Sequence, residues 1–90
     1  MKSKKLPDKY LLQLGNRIKL IRTYLSVDQK TMAELTGIAQ SQISKIETGQ
    51  AAPNLNQLIK IKEIAEQNKD MPEGLSWEWI IEGKGKGIIG

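Results

Sequence analysis

The 90-residue chain has no cysteine, no histidine and no phenylalanine, and its only aromatic side chains are two Trp and two Tyr. Without cysteine there is no disulfide and no thiol nucleophile. Without histidine there is no imidazole base, and the usual zinc ligands are missing. Enzymatic chemistry loses most of its parts, so no catalytic residue, metal or cofactor is expected. Long apolar runs are absent too. Nothing approaches the roughly 18 uninterrupted apolar residues of a membrane span, and the basic start MKSKKLPDK leads into no apolar signal-peptide core. No membrane association is expected, and the default compartment is the cytoplasm, with which the missing cysteines agree. With so few aromatics, the core of one small domain must be built from Leu, Ile, Val and Ala at helical spacing.

The net charge is +4, and its distribution says more than its size. Residues 1–24 carry a net +6 through Lys2, Lys4, Lys5, Lys9, Arg17, Lys19 and Arg22 against Asp8, whereas 25–50 and 51–90 each sum to −1. A basic first quarter suits a polyanionic partner such as nucleic acid. Residues 1–6 read equally well as a solubilising arm. Arg17 and Lys19 read either as contacts to a DNA backbone or as a solvated face.

Helical periodicity runs through most of the remainder. Pro7 and Asp8 are start signals, and Leu11, Leu14, Ile18, Ile21 and Leu25 recur at spacings of three and four, so a first helix is expected over about 8–24. Asp28 is placed to cap a second helix in which Met32, Ala33 and Leu35 are the expected buried positions. Gly37 breaks it with a left-handed turn, and Ile38 should plug the core behind the turn. A third helix follows over about 39–48 and stops at Gly49. Two short helices hinged on a glycine are the grammar of a helix-turn-helix. In the third helix Ile43 and Ile46 face one way, while Gln40, Ser41, Ser44 and Lys45 face the other with side chains suited to base edges and phosphates.

Asn54 can cap a fourth helix to about residue 68, whose wide apolar face could leave some surface for a partner. Residues 69–74 read as a loop by their Pro and Gly, Ser76 as the cap of a short fifth helix over 77–82, and 84–90 as a flexible tail. Trp77 and Trp79, two apart on one helix, should divide between core and surface. That helix, through Trp77, Trp79, Ile80 and Ile81, together with part of the fourth helix, is the expected contact of a homodimer, because a lone recognition helix reads too few bases.

These residues resemble the lambda-repressor-like, or Cro/CI (XRE), DNA-binding family. The resemblance is carried by Leu14 to Arg22, then Gln29, Ala33, Gly37, Ile38, Ile43, Ser44, Ile46, Glu47 and Gly49, and by Pro53-Asn54-Leu55 entering the fourth helix. It covers about residues 11–68. It implies an all-α, compact five-helix domain over 7–83, with the second and third helices forming the helix-turn-helix. It also implies a bacterial or phage-encoded regulator that binds operator DNA as a dimer. By this resemblance Gln40, Ser41, Gln42, Ser44 and Lys45 would contact bases, although Gln42, about 200° round the helix from Gln40, reads equally as packing against the scaffold helix or facing solvent. Gln29 would touch a phosphate and steady the first recognition residue; Arg17 and Lys19, on the polar side of the first helix, are the other candidate phosphate contacts. Arg22 and Glu47 would form an internal ion pair. Two departures stand out: Ser26 takes the place of a glycine common between the first two helices, and Thr36 that of a residue more often apolar. A phage Cro- or CI-type repressor on a palindromic operator is the leading expectation. An autoregulating antitoxin and a noncatalytic protein-interaction module are the alternatives.

Overall fold

The computed structural model describes residues 8–68, 75–85 and 87. Five helices follow in order: α1 Lys9–Tyr24, α2 Gln29–Thr36, α3 Gln40–Glu47, α4 Leu55–Glu66 and α5 Trp77–Glu82. The expected loop over 69–74 and the arm over 1–6 lie outside the described residues. No described helix is long and apolar enough to cross a membrane.

Each helix begins where a polar side chain can satisfy its orphan amides. Asp8 accepts from the Tyr10 amide at 2.7 Å, Asp28 from Thr31 at 2.7 Å, and Ser76 from Trp79 at 3.0 Å. The bond from Thr31 also holds the Asp28 carboxyl below its ordinary pKa. Asn54 and Gln57 form a reciprocal capping box: Asn54 Oδ1 accepts from the Gln57 amide at 2.8 Å, and Gln57 Oε1 accepts from the Asn54 amide at 3.0 Å. The exception is α3, whose N-cap Ala39 makes no side-chain cap bond. Its first-turn amides therefore stay open at the end expected to face a ligand.

The connections explain both departures from the family pattern. Ser26 adopts φ +63°, the left-handed conformation a glycine would take more cheaply, so the chain keeps the tight corner between α1 and α2 in spite of the substitution. Thr36 is buried, yet its hydroxyl donates to the Met32 carbonyl at 2.7 Å and accepts from the Ile38 amide at 3.2 Å. A buried hydroxyl with both partners costs little, and here it braces the Gly37 corner, where φ is +74°. Leu35, expected in the core, is 46% exposed. Met32 and Thr36 stand one turn apart on the face that meets the core. Leu35 is rotated to its edge, in a groove with Leu25, Val27 and Ile64.

Ile18, Ile21, Met32, Ile38, Ile43, Ile46, Ile61, Ala65, Leu75, Trp79 and Ile80 form one core. α3 packs on α1 and α2, α4 on α2 and α1, and α5 on α1. Gly15 makes the α1–α3 approach possible: it is buried, and a Cβ there would lie 2.8 Å from the Glu47 carbonyl oxygen and overlap that of Ile46. Of the two tryptophans, Trp79 is in the core and Trp77 remains 37% exposed, beneath the Lys62 ammonium at 5.2 Å from its ring centre. Burial removes Trp79 and Ile80 from the expected dimer contact. The tail is not wholly free either, since Gly87 sits against the Trp79 indole and Gly85 against Glu78 and Ser76.

Candidate nucleic-acid interface

The recognition face is built by burying the opposite side of α3. Ile43, Ile46 and Glu47 turn inward, which leaves Gln40, Ser41 and Lys45 exposed and Ser44 half-buried. Those four side chains form one continuous polar strip. Gln42 departs from it: the residue is half-buried and shares a groove with Thr36 to Ala39 and with Asn54, Asn56, Gln57 and Lys60 at the start of α4. A two-residue step on a helix rotates a side chain by about 200°, which carries Gln42 to the α4 edge.

Behind the strip, Glu47, the one buried charged residue among the described residues, is the centre of a polar cluster. Its side chain is 2% exposed. Arg22 Nε donates to Glu47 Oε2 at 2.6 Å and Arg22 NH2 to Oε1 at 3.1 Å, and Arg22 NH1 reaches the Val27 carbonyl at 2.9 Å. The guanidinium pKa is raised above its ordinary value by the bond to Glu47, against partial burial. This is the ion pair that the resemblance implied. Gln29 joins it, with Nε2 donating to Glu47 Oε1 at 3.0 Å. The Gln29 amide is therefore anchored at the last residue of α3, not at Gln40 on its first, which corrects the expectation that it steadies the leading base reader.

Arg17 requires a second correction. Its Nε donates to the Ile80 carbonyl at 2.7 Å and its NH2 to the Ile81 carbonyl at 2.8 Å. The guanidinium satisfies the last carbonyls of α5 and clamps that helix to α1, and burial lowers its pKa. It is committed to the scaffold and is not a free backbone contact. Lys19 is exposed. The sequence reading passed over Thr48 and Gln50. Thr48 Oγ1 donates to the carbonyls of Ser44 at 3.0 Å and Lys45 at 3.3 Å, and Gln50 Nε2 donates to Thr48 Oγ1 at 2.8 Å. These bonds close the exposed end of α3. The available signal was a hydroxyl four residues after Ser44, where a C-terminal threonine can bond back.

Residues 15–86 match the family model described as a helix-turn-helix domain. The chain belongs to that family. The matched span runs from the buried glycine of α1 to beyond α5, so it takes in the whole described core. A SPbeta prophage-derived, uncharacterised HTH-type transcriptional regulator of Bacillus subtilis (strain 168), YonR, is 32% identical over 69 residues. That alignment covers 77% of this chain and 56% of the relative, so the chain spans little more than half the relative's length. Among solved structures, the restriction-modification controller protein C.AhdI from Aeromonas hydrophila superposes with a TM-score of 0.60 at 28% identity, covering 62% of this chain and 85% of that one. As a helix-turn-helix domain, the chain presents α3 as the second helix of the motif and α2 as the first, with Gly37 at the corner.

Proposed function

We propose that the chain is a sequence-specific, double-stranded DNA-binding transcription regulator of the Cro/CI repressor type that seats α3 in the major groove. The observation that carries this reading is the exposed strip of Gln40, Ser41, Ser44 and Lys45 on a helix whose other face is locked into the core. Gln40 is the leading base reader, because an amide at the start of a groove-seated helix can bond adenine N6 and N7 together. Ser41, Ser44 and Lys45 follow along the strip, and Gln42 reaches the flank. Gln29 and Lys19 meet phosphates. The prophage origin of one relative supports a phage or prophage role. Such a regulator acts in the cytoplasm and performs no chemistry of its own.

Gln40→Ala should weaken a selected site by ~1–3 kcal/mol and leave random-sequence binding nearly unchanged. Selection from random duplexes followed by fluorescence anisotropy at fixed salt measures both quantities. Equal weakening on every sequence would remove Gln40 from base reading.

We further read the regulator as a homodimer on a palindromic operator. Trp77 and Ile81 lie one turn apart on the outer face of α5, and Leu55 and Ile59 lie one turn apart on α4; all four are exposed. Lys62, on the Leu55–Ile59 side of α4, sits over Trp77 and joins the two stripes into one surface. With Trp79 and Ile80 in the core, the contact expected from sequence narrows to Trp77 and Ile81 of α5 and this part of α4. Ile81→Lys should shift sedimentation equilibrium toward monomer. A wild-type chain that stays monomeric at high concentration, free and on a palindromic duplex, would refute the dimer.

A further inference from the structure

We infer, resting on the DNA-binding reading above, that Gln50 is a further base reader: Thr48 pins the nitrogen end of its amide, and the carbonyl oxygen left outward selects a base with an exocyclic amine, adenine or cytosine. The local fold puts Gln50 at the end of the strip. α3 finishes in a Schellman motif, in which Gly49 takes φ +79°, its amide donates to the Ile46 carbonyl at 3.2 Å, and the Gln50 amide donates to the Lys45 carbonyl at 2.8 Å. The chain thus folds back over the last turn. In this motif the residue after the left-handed one frequently makes an apolar contact with the residue whose carbonyl it caps. Here that pair is Gln50 and Lys45, and both are exposed. Thr48, exposed as well, stands four residues after Ser44 and three after Lys45, so it continues the strip to the point where Gln50 returns.

Thr48 also decides which end of the Gln50 amide faces it. Its single hydroxyl proton goes to the carbonyls of Ser44 at 3.0 Å and Lys45 at 3.3 Å, which can only accept. Toward Gln50 the hydroxyl is therefore an acceptor, and it takes the Nε2 bond at 2.8 Å. Gln50 Oε1 is turned away and has no partner among the described residues. In the major groove adenine N6 and cytosine N4 are donors, whereas guanine O6 and thymine O4 only accept. An outward carbonyl oxygen attracts the first pair and repels the second. It also repels a phosphate, which sets Gln50 apart from a backbone contact. The bond to Thr48 orders the side chain before DNA arrives, so less conformational freedom is lost on binding.

The test uses the full chain and a duplex selected from random sequence. Exocyclic amines are deleted one at a time, with purine in place of adenine and 2-pyrimidinone in place of cytosine, and affinity is read by fluorescence anisotropy at fixed salt. Wild type should lose about fivefold at one base of each half-site, the scale of a single hydrogen bond, through an amine other than the one whose effect Gln40→Ala abolishes. In Gln50→Ala that loss should vanish while sensitivity at the other bases persists. In Thr48→Val it should shrink, because the freed amide can turn either end outward, and Thr48→Ser should restore it. Gln50→Ala with every amine effect intact would overturn the inference. So would Gln50→Ala weakening all sequences alike, which would make Gln50 a phosphate contact. A folded Thr48→Val with wild-type sensitivity would overturn the pinning; should that variant not fold, Thr48→Ala takes its place. Failure of the wild type to select any duplex would instead overturn the DNA-binding reading, and the inference with it.

Discussion

Glu47→Ala should lower the unfolding free energy by about 3 kcal/mol, at the lower end of the range for breaking a buried ion pair by deleting one partner. The deletion strands two donors. Arg22 loses both bonds to the carboxylate, and the Gln29 amide loses its acceptor. The lower end applies because the Arg22 side chain keeps 14% of its exposure and its bond to the Val27 carbonyl, so the freed guanidinium retains some solvation. For a domain of this size each kcal/mol moves the melting temperature by roughly 4–8 °C, so a fall of about 12–24 °C is expected by circular dichroism. DNA binding would be lost on heating in the same interval, because the unfolded fraction binds nothing. A Glu47→Ala protein with an unchanged melting temperature and no DNA binding would show instead that the carboxylate serves the duplex directly.

That cluster shows where reading the sequence succeeds and where it stops. Helix starts are local events: Asp28, Asn54 and Ser76 each precede their helix by one residue, and the bond each makes spans three residues. The turn at Gly37 and the plug at Ile38 are local in the same sense, and periodicity finds the buried stripe of α1. The destination of a long cation is not local. Arg17 ends on carbonyls 63 and 64 residues away, and nothing in its own neighbourhood distinguishes that clamp from a phosphate contact. Gln29 is separated by 18 residues from the carboxylate that holds it. Leu35 failed for a subtler reason. Composition favours leucine over threonine for the core, but the hydroxyl of Thr36 can be satisfied within its own turn, and the corner at Gly37 then turns that residue inward. On α3 the division of faces was legible because two isoleucines and a glutamate fall on one side. For Gln42 the step of about 200° from Gln40 was legible too, but not the groove that receives it, which exists only when α4 is in place.

Gly15→Val should cost about 3 kcal/mol, the upper part of the range for overpacking. Helix propensity argues the other way: replacing an interior glycine with alanine gains close to 1 kcal/mol in an exposed helix. At this position the steric term wins. A Cβ at residue 15 would lie 2.8 Å from the Glu47 carbonyl oxygen and still nearer that of Ile46, and both are backbone atoms that cannot rotate aside. Relief requires α1 to move away from the last turn of α3, which would stretch the Arg22–Glu47 bonds and tilt the helix that carries Gln40 and Lys45. Gly15→Ala should therefore also be destabilised despite its better propensity, with Gly15→Val lower still by urea denaturation. The ordering is the decisive measurement. If Gly15→Ala were more stable than wild type, α1 and α3 could not be in the backbone contact that holds the recognition helix.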